Sequence, residues 1–139
     1  MCKLCSCCEK WSPYALSLLR LVIAVLILQH GGMKILGFPP TKQDLPPIFS
    51  LIGVSGLIEL IGGGLLLLGL FTRCAAFILS GEMAVAYFRV HFPKAWWPIH
   101  NQGELAVIYC FVFFYLAFAG AGPISLDHLI KRKRAAAGK

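Results

Sequence analysis

The sequence predicts an all-α fold: an integral membrane four-helix bundle with both termini cytoplasmic. Three observations lead there. Hydrophobic residues make up 58% of the 139-residue chain and charged residues only 14%, against about 25% charged in a soluble domain. Four apolar runs take up nearly all of the chain, each close to the roughly 20 residues that a bilayer-crossing helix needs. The positive charges, finally, are unevenly shared between the two sets of loops. A chain this short has no polar shell in which to hide such runs as soluble core helices.

The first span runs from about Tyr14 to Leu36. Its apolar stretch leads into His30-Gly31-Gly32-Met33-Lys34 rather than a small-residue cleavage site, so it reads as a retained helix and not a signal peptide. Gly37-Phe38-Pro39-Pro40 and Pro46-Pro47 then break the pattern. The second span, about Ile48 to Phe71, is crowded with small residues: Gly53, Ser55, Gly56, Gly62, Gly63, Gly64 and Gly69. In lipid such residues let helix backbones approach closely, and Gly62 and Gly63 are expected at a helix contact beside Glu59. They are not a phosphate-cradling loop, because no strand precedes them.

Thr72-Arg73 separates the second span from the third, about Arg73 to Phe92. Arg73 is expected to snorkel to lipid headgroups. The segment from Pro93 to Gly103 holds Trp96 and Trp97, which with Phe92 read as interfacial anchors. The fourth span runs from about Gly103 to Ala121. Residues 1–13 read as a cytoplasmic, cysteine-containing segment, 14–122 as the membrane domain, and 123–139 as a short cytoplasmic helix with a basic tail. Ser125 followed by Leu126-Asp127 has the form of an N-cap with an acid in the first turn.

Charge sets the orientation. Lys3, Lys10, Arg73, Lys131-Arg132-Lys133-Arg134 and Lys139 fall on one side, whereas the other holds Lys42 and Lys94, with Lys34 and Arg89 near span ends. The positive-inside rule puts the first set in the cytoplasm, in a cell membrane of bacterial type. The net charge of +7 therefore reports topology and contact with anionic lipid. No aromatic-basic surface accompanies the tail, which argues against nucleic acid as a partner.

The informative residues are those that hydrocarbon should exclude. Glu59 lies in the middle of span two, where a carboxylate costs roughly 2.5–3.5 kcal/mol on insertion scales. Arg20, His30, Lys34, Glu82, Arg89, His91 and Glu104 also lie within or at the ends of spans. At 100° per residue, Arg20, His30 and Lys34 fall within about 80° of one another. Glu82 and Arg89 share a stripe about 10 Å long, while His91 points away from Glu82. An antiparallel arrangement brings His30, Lys34, His91, His100 and Glu104 to the outer half, with Glu59 and Glu82 near mid-depth and Arg20 toward the inner side. Glu59, His30, Glu104 and His91 are the candidates for proton handling, and Arg20, Lys34, Glu82 and Arg89 for lining a ligand pocket. The opposing reading is that Glu59 pairs permanently with Arg20 or Lys34 and only fixes helix register, while Glu104 complements a helix dipole.

No metal is expected, since the histidines and glutamates show no HxxxH or ExxH spacing. Cys2, Cys5, Cys7 and Cys8 crowd the N-terminus; cytosolic thiols stay reduced, and thiols so close together make a strained zinc site. A disordered terminus is the simplest expectation, with soft-metal binding, redox chemistry and lipid attachment as alternatives. Cys74 and Cys110 read as small packing residues.

In its ordered set of segments the chain resembles the DoxX family of small four-helix membrane proteins. The resemblance covers about residues 16–129 and rests on LLRLVIAVLILQHGGMKILGF, GLIELIGGGLLLLGLFTRCAAF, the methionine-containing third span ending at His91, GELAVIYC and AGAGPISLDHL. By position it carries the family pattern onto Arg20, His30, Gly31, Lys34, Glu59, Gly62, Gly63, Arg73, His91, Glu104, Ser125 and Asp127. The resemblance implies a multipass protein of bacteria or archaea. The family name comes from a subunit associated with thiosulfate:quinone oxidoreduction, and other members look like partners in membrane thiol or redox-stress complexes. The leading expectation is thus the membrane component of a quinone- or thiol-linked redox complex, an enzyme subunit with a redox partner protein and a quinone as its possible ligand. A small-solute or proton transporter, which with four spans requires a homo-oligomer, and a non-catalytic scaffold subunit are the competing expectations.

Overall fold

The computed structural model describes residues 3–40 and 44–138, with side chains from residue 8 onward. Cys2, Lys42 and Lys139, and the side chains of Lys3, Cys5 and Cys7, lie outside the described residues. Every regular element in the described residues is helical: α1 (Lys3–Ile35), α2 (Leu51–Leu68), α3 (Thr72–Ala86) running into a π-helical turn (Tyr87–His91), α4 (Pro98–Asn101), α5 (Glu104–Ala119) and α6 (Leu126–Ala137).

Helix α1 begins about ten residues before the first apolar span, where the sequence suggested a disordered terminus. Its physical basis is simple. No glycine occurs before Gly31, and extending an existing helix avoids the cost of nucleation. Pro13 removes one backbone donor, and the Ser17 hydroxyl donates back to the Pro13 carbonyl at 3.3 Å. Residues 8–35 of α1 and the whole of α2 are long and apolar enough to cross a membrane, and α5 is apolar but shorter.

Helix ends follow local chemistry. Ser50 N-caps α2, its hydroxyl accepting from the Gly53 amide at 3.1 Å. Gly69 closes that helix in the left-handed region at φ 65°, a conformation that costs glycine little. Ser125 caps α6 by accepting from the His128 amide at 3.2 Å.

Helix α1 packs mainly on α2 and α3 mainly on α5, with α2–α3 contacts joining the two pairs. All four supply one core, in which Ala24, Ile27, Leu66, Ala76, Leu79, Phe113 and Leu116 are fully buried. The outward faces carry Leu18, Ile61, Phe77, Phe111 and Phe118, each more than 60% exposed. A soluble protein rarely shows so continuous an apolar surface. Hydrocarbon is the solvent these side chains suit.

Candidate functional site

The site is built around the crossing of α1 and α2. A Cβ added to Gly31 would lie 2.6 Å from the Leu60 amide nitrogen, and one added to Gly56 would lie 2.7 Å from Lys34 Cβ. The two backbones therefore touch, and the Lys34 side chain is laid along α2. Ser55 and Glu59, one turn apart, meet its head. Lys34 Nζ stands 2.8 Å from each Glu59 carboxylate oxygen and donates to Ser55 Oγ at 2.8 Å. The Glu59 side chain is 2% exposed and that of Lys34 27%. The carboxylate is thus sealed in while its counter-ion still reaches the exterior.

This pair borders a cavity of about 210 Å³ that is also lined by His30, Met83, His91, Gln102 and Tyr109. Tyr109 is buried, packs edge-on against His30 with ring centroids 6.0 Å apart, and stacks on Phe113. Sequence reasoning missed both Tyr109 and Gln102. Tyr109 had a faint signal, as a hydroxyl-bearing ring five residues into an apolar helix that opens on Glu104.

A second cavity, about 420 Å³, lies between α2 and α3 and is walled mainly by apolar side chains such as Ile52, Ile58, Ile78 and Val85. Lys34, Ala86 and His91 border both cavities. Glu82 and Arg89 line this second space and not the first. One Glu82 oxygen, Oε2, is buried and has no hydrogen-bond partner among the described residues.

Straight-helix spacing turns His91 away from Glu82, and the structure corrects this. The π-helical turn, closed by the Phe92 amide donating to the Tyr87 carbonyl at 2.9 Å, takes in an extra residue. That residue rotates His91 back to a cavity shared with Glu82. His91 is held there by Nδ1 at 3.1 Å from the Asn101 carbonyl and by the Tyr87 ring at 6.5 Å. Asn101 is itself buried and pinned, donating to the Ala95 carbonyl at 2.8 Å and accepting from the Gly103 amide at 2.8 Å.

Two sequence candidates stand apart from these cavities. Arg20, expected as a pocket residue, is buried at the opposite end of the molecule. Its guanidinium donates to the carbonyls of Ala121 (3.0 Å), Leu67 (3.0 Å), Ile124 (2.5 Å) and Leu66. These are carbonyls from the last turn of α2 and from the α5–α6 connection, which a helix end leaves without partners. Glu104, expected to handle protons, is exposed in the first turn of α5 and borders neither cavity. His100 is also exposed.

The remaining polar residues tie helix ends together. Arg73 donates to the Ala117 and Phe118 carbonyls, at 3.1 and 2.5 Å, and so closes the C-terminus of α5, where the sequence suggested a lipid contact. Asp127 accepts from the Phe71 and Thr72 amides, both at 2.9 Å, and caps α3 from a distance. Gly62 and Gly63 are packing positions that face two different neighbours of α2. A Cβ on Gly62 would meet Leu79 of α3 at 2.9 Å, and one on Gly63 would meet Ile27 and Leu28 of α1 at 2.9 Å. Among the described residues no three His, Cys, Asp or Glu side chains come together as a metal-binding group.

The family model for DoxX matches residues 15–92. That segment contains Lys34, Glu59, Glu82 and His91 and stops at the end of the π-helical turn, short of the extent that the sequence motifs suggested. An uncharacterized protein of Haemophilus influenzae is 45% identical over 130 residues, covering 90% of this chain and 97% of the relative. A second uncharacterized protein of the same organism is 36% identical over 130 residues, 87% of this chain and 86% of that relative. No solved structure matches. The family match over more than half of the chain, with a relative that nearly all of it aligns to, establishes that the chain belongs to the DoxX family.

Proposed function

We propose that the protein is a multipass component of a cell membrane, a four-span bundle with both termini cytoplasmic, that serves a quinone- or thiol-linked redox complex. The reading rests on one observation above all: the Lys34–Glu59 pair, at 2.8 Å, borders a cavity shared with His30 and Tyr109. A buried carboxylate needs a reason to persist in hydrocarbon. Register alone would need the ion pair but not the open space beside it.

In this proposal the cavity takes the ring of a quinone-like molecule or a small sulfur compound. Reduction of a quinone to the quinol consumes two electrons and two protons. The electrons come from the redox group of a partner protein. Lys34 orients an oxygen of the ring and stabilises the negative charge that develops there. Glu59 and His30 relay to it protons taken up from water, a role for which a carboxyl group must stand within hydrogen-bond reach.

The experiment compares quinone reduction in membranes that contain the wild-type protein, no protein, or the Glu59→Gln variant. The wild type is expected to raise the rate, and Glu59→Gln to lower that increment by about 10²-fold, the usual scale of general acid–base catalysis. Equal rates in all three membranes overturn the proposal.

A further inference from the structure

A third cavity, about 620 Å³, is at the other end of the molecule. It opens where α3 begins, α5 ends and α6 leaves the helical core, at the boundary where apolar helices give way to polar termini. Its basic side chains are Arg73, His128 and Lys131, all exposed. Thr72 also borders it, is fully buried, and has no hydrogen-bond partner for Oγ1 among the described residues. The acidic member of the lining, Asp127, already accepts from two backbone amides, one at each carboxylate oxygen.

We propose that this cavity is a binding site for the phosphate of an anionic phospholipid headgroup. Arg73 keeps nitrogens beyond the one committed to the α5 carbonyls, and a planar guanidinium suits phosphate oxygens. His128 and Lys131, three apart on α6, present their heads from the same face. Pro13, Leu16 and Phe71 supply an apolar wall on which the glycerol and first acyl carbons rest. Helix α6 supports the assignment independently. Its Leu126, Leu129 and Ile130 form one apolar stripe that ends at Lys133, with Arg132 and Arg134 at its borders and Lys131 on the far face, the pattern of a helix lying in an anionic membrane surface. The inference needs the protein to be in a membrane but not to take part in redox chemistry.

The test uses the purified full chain in neutral detergent at physiological salt. Lipid adducts are counted by native mass spectrometry after addition of phosphatidylglycerol, phosphatidylcholine or inorganic phosphate. Phosphatidylglycerol is expected to give one retained adduct, and phosphatidylcholine at least fivefold less. The double variant His128→Gln/Lys131→Gln removes two exposed side chains with no side-chain hydrogen bonds among the described residues, so the fold is retained. It is expected to lose at least fivefold in adduct, whereas Lys133→Gln/Arg134→Gln, beyond the cavity, loses less than twofold. Equal losses from the two pairs, or equal adducts from both lipids, overturn the site. Displacement of the lipid by millimolar inorganic phosphate overturns the lipid assignment.

Discussion

At the scale of single residues, the Lys34–Glu59 pair is asymmetric. Glu59 is sealed within the packed helices, whereas Lys34 has a long stem and keeps contact with the outside. Removing one partner of a buried pair costs about 3–5 kcal/mol when the other stays buried and charged. Lys34→Met strands Glu59 in that way. Glu59→Gln frees Lys34, which can swing its head outward along its own stem. Thermal unfolding in detergent is expected to rank Lys34→Met as the more damaging change, with the double variant recovering much of the loss. Equal single-variant effects that simply add would show the two groups to be energetically independent. The sequence alone made Glu59 conspicuous but left Arg20 and Lys34 as rival partners. Fourteen residues separate those two along α1, about 21 Å of helix. Their shared face says nothing about which one reaches Glu59. What decides is the crossing point at Gly31 and Gly56, a tertiary fact.

At the scale of elements, the glycines of α1 and α2 divide into those that hold a crossing and those that do not. Gly31 and Gly56 touch backbone or a Cβ across α1 and α2, while a Cβ on Gly64 meets nothing within 4 Å. Gly31→Leu is expected to force the helices apart and cost at least about 1–3 kcal/mol, the scale of overpacking. It should also loosen the Lys34–Glu59 pair without touching either charge. Gly64→Ala, by contrast, is expected to leave stability unchanged or raise it by up to about 1 kcal/mol through helix propensity. Chemical or thermal denaturation of both variants checks the contrast, and similar effects would contradict the division. Small residues were legible in the sequence as packing chemistry, yet their partners were not, because a glycine carries no sign of what approaches it. The π-helical turn was likewise silent. YFRVH has no breaker residue, so regular helical spacing was the natural reading, and it misplaced His91 by the extra residue that the turn takes in.

At the scale of the whole molecule, charge asymmetry and architecture make one joint prediction. The all-helical fold and the apolar character of its helices were legible from composition because hydrocarbon imposes one-dimensional limits: length and apolarity. The fates of Arg20, Arg73 and Asp127 were not, because each answers carbonyls or amides at the end of a distant helix. Those three contacts draw the ends of α2, α3 and α5 and the start of α6 to one end of the molecule, while Trp96 and Trp97 lie exposed in the connection that leads to α5. If loop charge sets orientation, Cys74 and Cys8 face the cytoplasm and Trp97 the outside. A cysteine-free background retaining one thiol at a time tests this with a membrane-impermeant maleimide. Trp97→Cys is expected to react in intact cells, and Cys74 or Cys8, both exposed, only after the membrane is opened. Cys110, half-buried inside α5 beside the Ser80 hydroxyl at 3.6 Å, is expected to react appreciably only on unfolding. Labelling of Cys74 in intact cells would invert the topology. It would also turn the Lys34–Glu59 cavity toward the cytoplasm, where a soluble redox partner would reach it directly.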